Sequence, residues 1–177
     1  MYRLGHLVNG NWVAHSHPPV YEVGERIVAG VPGGDPSVFE RLVECLEAPY
    51  YLLYVLHTPR GEARPGRYQS PAVSLDEVKE FLARFAPLLS GDARFDLWAH
   101  SPRDNATVVW DRHNQIFGYG PLDQYTSALA SMGFGPGRPE VPAPHQHHYR
   151  AELDTLAKEV LAAFEWSHSP LHPEDEQ

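Results

Sequence analysis

Two groups of histidines in this chain have the spacing of metal ligands: His15 with His17, and His145 with His147 and His148. Imidazoles at such intervals hold zinc when a carboxylate or a further histidine completes the set. Both groups stand beside prolines in segments that read as loops, and neither H-E-x-x-H nor a cysteine pair accompanies them. The plainer reading makes them solvated loop histidines that require no cofactor. A metal site at His145, His147 and His148 is the alternative.

A second constellation comprises His57, Asp96, His100, Asp111 and His113, with Arg112 between the last two. A carboxylate set against an imidazole fixes its tautomer for general-base work. No G-x-S-x-G elbow exists, so acyl transfer would fall to an unsupported serine such as Ser70 or Ser101. Asp111 to Asn114 equally suits a tight connection between strands, because Asp and Asn bond their own backbones in turns. Cys45, the single cysteine, excludes an intramolecular disulfide and reads as an inert thiol near a helix end. Gly30, Gly33 and Gly34 precede a helix without matching either phosphate-loop pattern.

A third possibility is recognition rather than chemistry. Side chains alternate along a strand, so Phe95, Leu97 and Ala99 point to the core while Asp96, Trp98 and His100 share the other face. Together with Trp110 and Tyr119 from the following strands, that face offers large amphipathic rings beside charge, as binding surfaces do.

The elements that must hold these groups are legible in outline. Asn9-Gly10 marks a hairpin over residues 5–14. Strands are expected at 25–31, at 50–57 as a central strand covered on both faces, and at 94–100, 106–111 and 115–119. Helices are expected at about 36–47 with Asp35 as cap, from Ser74 with Glu77 in a capping box, from Pro121 to Gly133, and at 149–166. Pro87 should kink or end the second helix near Ala86. Residues 135–144 carry four prolines and read as a connector, and an acidic tail at 170–177 reads as disordered. The order predicts an α+β fold: one domain over 1–169, with a mixed, mainly antiparallel sheet covered by about four helices.

With 177 residues, 42% of them hydrophobic, the chain is long enough for one substantial core. Its net charge of −9 and dispersed basic residues disfavour nucleic acid and favour a basic protein partner. No apolar run reaches membrane-spanning length and the first residues lack the order of a secretory signal, so a cytoplasmic location is expected. A homodimer through an exposed edge strand is as compatible with the pattern as a monomer.

The segments YYLLYVLHTPRG (Tyr50 to Gly61) and WDRHNQIFGYGPLD (Trp110 to Asp123) resemble those of small uncharacterised bacterial α/β proteins, a class that includes immunity proteins against polymorphic toxins. The resemblance implies a protein-binding or inhibitory domain and carries no catalytic residue with it. The competing expectation is a small hydrolase-like or metal-dependent enzyme built on the His/Asp cluster.

Overall fold

Asn9 and Gly10 both take positive φ (50° and 79°), and the turn they make joins β1 (Leu4–Val8) to β2 (Asn11–Ala14). This is the hairpin that the Asn-Gly pair predicts. The computed structural model describes residues 1–176. A third strand, β11 (His145–His147), adds antiparallel to β1, giving a small sheet of order β11-β1-β2.

The main sheet has nine strands. They are β3 (Val20–Val23), β4 (Ile27–Gly30), β5 (Tyr51–Leu56), β6 (Gly66–Gln69), β7 (Phe95–Ser101), β8 (Ala106–Trp110), β9 (Gln115–Tyr119), β10 (Gly135–Pro136) and β12 (Ser167–Ser169). Their spatial order is β10-β3-β4-β9-β8-β7-β5-β6-β12, and every pairing is antiparallel except β10 with β3. Four helices accompany them: α1 (Pro36–Val43), α2 (Leu75–Gly91), α3 (Leu122–Ser131) and α4 (Asp154–Val160). The fold is thus α+β with a mainly antiparallel mixed sheet.

One face of this sheet is closed. Leu52, Tyr54 and Leu56 of β5, Phe95, Leu97 and Ala99 of β7, and Val108 and Trp110 of β8 form a single buried cluster with the apolar stripes of α1, α2 and α3. The caps are those the sequence offers. The Asp35 carboxylate accepts from the Ser37 amide at 2.9 Å, and Ser74 and Glu77 complete a reciprocal capping box.

The opposite face is only partly covered, which corrects the reading of β5 as buried on both sides. Tyr51 and Leu53 remain half-exposed there. The apolar run of β5 reflects a sheet face that is apolar yet open.

Other departures have local causes. α2 continues through Pro87 to Gly91; Ala83, whose carbonyl loses its partner, lies on the exposed side, where water can satisfy it, while Leu88 and Leu89 anchor the last turn in the core. The helix expected over 149–166 is confined to α4. Arg150 is extended (φ −107°, ψ 121°), a 3-10 turn follows, and the Trp166 indole donates to the Val160 carbonyl at 2.9 Å where the chain turns back. That reversal stacks Phe164 on Phe81 of α2 and sets Trp166 edge-on to it, with centroids 5.6 and 6.2 Å away. Beyond Ser169, where the sequence reading ends the domain, residues 173–176 form another 3-10 turn and Asp175 contacts Arg67 of β6. Gln177 lies outside the described residues.

Candidate functional site

The strand register builds an apolar row across the open face, Leu53–Trp98–Val109–Phe117–Val28 from β5, β7, β8, β9 and β4. Along this row lie three hollows that share walls. Arg26 and Tyr119 separate the first two, and Trp98 stands between the second and third. Arg26 donates to the Tyr119 hydroxyl at 2.7 Å, and the Arg67 guanidinium sits 5.1 Å from the Trp98 ring centre. Six carboxylate residues line these hollows (Glu22, Glu25, Asp96, Asp111, Glu174 and Asp175) against three arginines (Arg26, Arg67 and Arg112).

Strand alternation places Asp96, Trp98 and His100 on one face, as the sequence predicts, and in the fold they are half-exposed there. Tyr119 is 41% exposed and belongs to it as well. Trp110 does not. Its register opposite Leu97 turns it into the core, where it is fully buried and its indole donates to Asn114 Oδ1 at 3.3 Å. Sequence reasoning missed Arg26, Arg67 and Phe117 as members of the face.

The His/Asp cluster resolves into two pairs joined through one backbone. His57 Nε2 meets Asp96 Oδ2 at 2.9 Å, and the other Asp96 oxygen accepts from the Arg112 amide at 2.8 Å. One residue further on, His113 Nδ1 meets Asp111 Oδ2 at 2.8 Å. Asp111 Oδ1 also accepts from the amides of His113 and Gln115, at 3.0 and 2.8 Å, and Asn114 takes φ 60°. The β8–β9 connection is therefore the Asx-type turn that its residue types suggest, and the same carboxylate orients an imidazole. Asp96, Asp111, Arg112 and His113 line the middle hollow, whereas His57 is tucked behind Asp96 with 5% of its side chain exposed. His100 stands apart: its Nδ1 bonds Thr107 Oγ1 at 3.0 Å and it lines the third hollow.

No side chain beside these pairs is poised as a nucleophile among those the sequence nominates. Ser70 and Ser101 are buried and give their hydroxyl protons to the carbonyls of Pro71 and Glu47. Burial raises the Cys45 thiol pKa, and its sulfur faces the Arg41 carbonyl.

The remaining histidines converge more than their loop-like contexts suggest. β11 is a strand, not a loop, and its alternation puts His145 and His147 on one side, where His113 from the β8–β9 turn joins them. One ring nitrogen from each lies within 4.8 Å of the other two. His148 points elsewhere, edge-on to Tyr2 with centroids 4.7 Å apart, so the trio is not the one that sequence spacing proposes. Next to it, His15 Nε2 and His17 Nδ1 are 3.4 Å apart, and His17 Nε2 bonds the His113 carbonyl at 2.9 Å. Burial pushes His147 down to about 3 and, with His17 and His6 adding to it, His15 down to about 4. Nothing in the local sequence links His113 to residues 145 and 147; only the pairing of β11 with β1 does so.

Among the described residues no helix is long and apolar enough to cross a membrane. The chain matches no protein-family model, no curated protein and no solved structure.

Proposed function

We propose that this chain is an acidic protein-binding domain that engages a basic partner protein through the open face of its sheet, with inhibition of a toxin in the bacterial cytoplasm as the sharpest form of that role. The observation that carries this reading is the one-sided sheet. Its uncovered face presents a row of apolar and aromatic side chains within hollows where carboxylates outnumber arginines two to one. Aromatic side chains that become desolvated at the centre of an interface supply most of its affinity, while charge complementarity speeds encounter. Trp98, as the ridge between two hollows, is the natural anchor.

The test pairs the protein with the product of the neighbouring gene, by titration calorimetry and by co-expression. The expected result is a one-to-one complex that weakens as salt rises and protects the host. Trp98→Ala should weaken it about 30-fold, the effect of losing a hot-spot residue worth about 2 kcal/mol. A monomer that neither binds that product nor protects against it overturns the proposal, as does binding indifferent to both Trp98→Ala and Tyr119→Ala.

A second reading, a small hydrolase-like or metal-dependent enzyme, is favoured by the two His–carboxylate pairs at 2.9 and 2.8 Å. The engaged state of Ser70 and Ser101 tells against its acyl-transfer form.

A further inference from the structure

We infer that His113, His145 and His147 form a binding site for a zinc-type divalent cation, with Asp111 as the residue that positions His113. The inference holds whichever reading of the open face is correct.

The site is built from both sheets. His145 and His147 come from β11 of the small sheet, and His113 from the β8–β9 turn of the large one. Three imidazoles with one nitrogen each, all within 4.8 Å of one another, approach what a tetrahedral ion requires, since bonds of about 2.0–2.1 Å separate ligand atoms by about 3.4 Å.

The surroundings prepare these rings as ligands. His113 Nδ1 is committed to Asp111 Oδ2 at 2.8 Å, which leaves Nε2 with its lone pair free. A carboxylate behind a histidine in this manner fixes the ring and raises its basicity, the usual support of a metal ligand. His145 repeats the pattern with a backbone group, its Nδ1 directed at the Pro142 carbonyl at 3.0 Å. His147 Nε2 is buried with no hydrogen-bond partner. A buried imidazole nitrogen left unpaired is costly, and a bound metal ion would satisfy it.

Charge permits the ion. Arg3 and Arg112 act on His147, but Asp111, Asp96 and Asp92 act on Arg3 in turn, so carboxylates already balance the neighbourhood. Imidazole-only donor sets suit zinc, nickel and copper rather than calcium or magnesium. Three protein ligands leave a fourth position for water or for a group from a partner. His113 also lines the middle hollow of the open face, so that position adjoins the surface described above.

The experiment is calorimetric titration of chelator-stripped protein with Zn²⁺, with Co²⁺ as a spectroscopic probe. The expected result is one ion per chain, an intense tetrahedral cobalt spectrum and a higher melting temperature with zinc. His145→Ala alters an exposed side chain and leaves the fold intact, yet should weaken binding by at least 100-fold. Asp111→Asn should weaken it about 10–100-fold, the range for losing an outer-shell carboxylate, whereas His172→Ala should not change it. Folded protein that takes up no stoichiometric zinc overturns the inference. So does zinc binding that survives both His145→Ala and His147→Ala, which would place the ion elsewhere.

Discussion

Arg94 shows what a single buried charge does here. Its side chain is fully buried and forks onto both oxygens of Asp92 at 2.9 and 2.8 Å. It also donates to Glu62, to Asp154 and to the Arg150 carbonyl, each at 3.0 Å. Burial opposes its charge, but the bonds to Asp92 and Glu62 outweigh that and raise its pKa further. One guanidinium thereby ties the loop between β5 and β6 and the start of α4 to β7. Asp92 and Glu62 have side chains 0% and 1% exposed, so replacing the arginine strands two buried carboxylates. Breaking such a pair from one side costs about 3–5 kcal/mol, a large part of a typical domain's stability. Arg94→Met should lower the unfolding free energy obtained from urea titration by that amount; a loss below about 1 kcal/mol would mean the network is solvated and dispensable. At this scale the sequence was legible where chemistry is local and silent where it is not. Asp111 to Asn114 announced their turn because the bonds that make it span four residues. Apart from Asp92, the partners of Arg94 lie 32, 56 and 60 residues away, and those of His113 in the trio are also distant in sequence, so no spacing rule reaches them.

At the scale of elements, histidines join Arg3 in linking the small sheet to the large one. His15, just after β2, packs edge-on against His6 of β1 and His17, with centroids 5.1 and 4.6 Å apart, and His17 bonds the β8–β9 turn. Burial and the two neighbouring imidazoles push His15 from 6.5 down to about 4, and burial lowers His17 too. The unfolded chain therefore binds protons near pH 6.5 that the folded chain refuses until about pH 4. The contribution to stability is complete above pH 6.5 and is lost as pH falls toward 4. Urea midpoints measured in chelating buffer should drop between pH 7.5 and 5, and His15→Gln, which cannot be protonated there, should flatten the slope; equal slopes in both proteins would discount this contact. Elements with strong local signals were the ones read correctly from sequence. The Asn9-Gly10 hairpin, the capped starts of α1 and α2 and the β7–β8–β9 meander each carry their own turn or cap. By contrast β3, β6, β10, β11 and β12 span two to four residues, too few for a period to show. β10, β11 and β12 are strands only because a distant neighbour pairs with them. The overlong last helix fails for the same reason: the pull of Phe81 on Phe164 and Trp166 is tertiary.

For the molecule as a whole, the decisive asymmetry is a nine-stranded sheet with helices packed on one face and the end of the described chain folding onto part of the other. β12 pairs with β6, and Asp175 then folds onto the open side, where its carboxylate accepts from Arg67 Nη1 at 3.3–3.4 Å and from the His172 amide at 2.8 Å. Its side chain is 4% exposed, so this is a sheltered contact at the margin of the hollow that Trp98 walls. The edges of the large sheet are blunted in the same economical way, with two residues ending in Pro136 on one side and three on the other. A strap held by so few bonds should open without the core. Asp175→Ala removes three charge-assisted bonds, and hydrogen exchange should then show β6 and β12 amides less protected by about 1–3 kcal/mol. Amides of β7, β8 and β9, which exchange through global unfolding, should be unchanged. If all strands lose protection equally, the chain end is part of the cooperative core; if only β6 and β12 respond, the groove beside Trp98 has a margin that opens locally while the scaffold beneath it stays rigid.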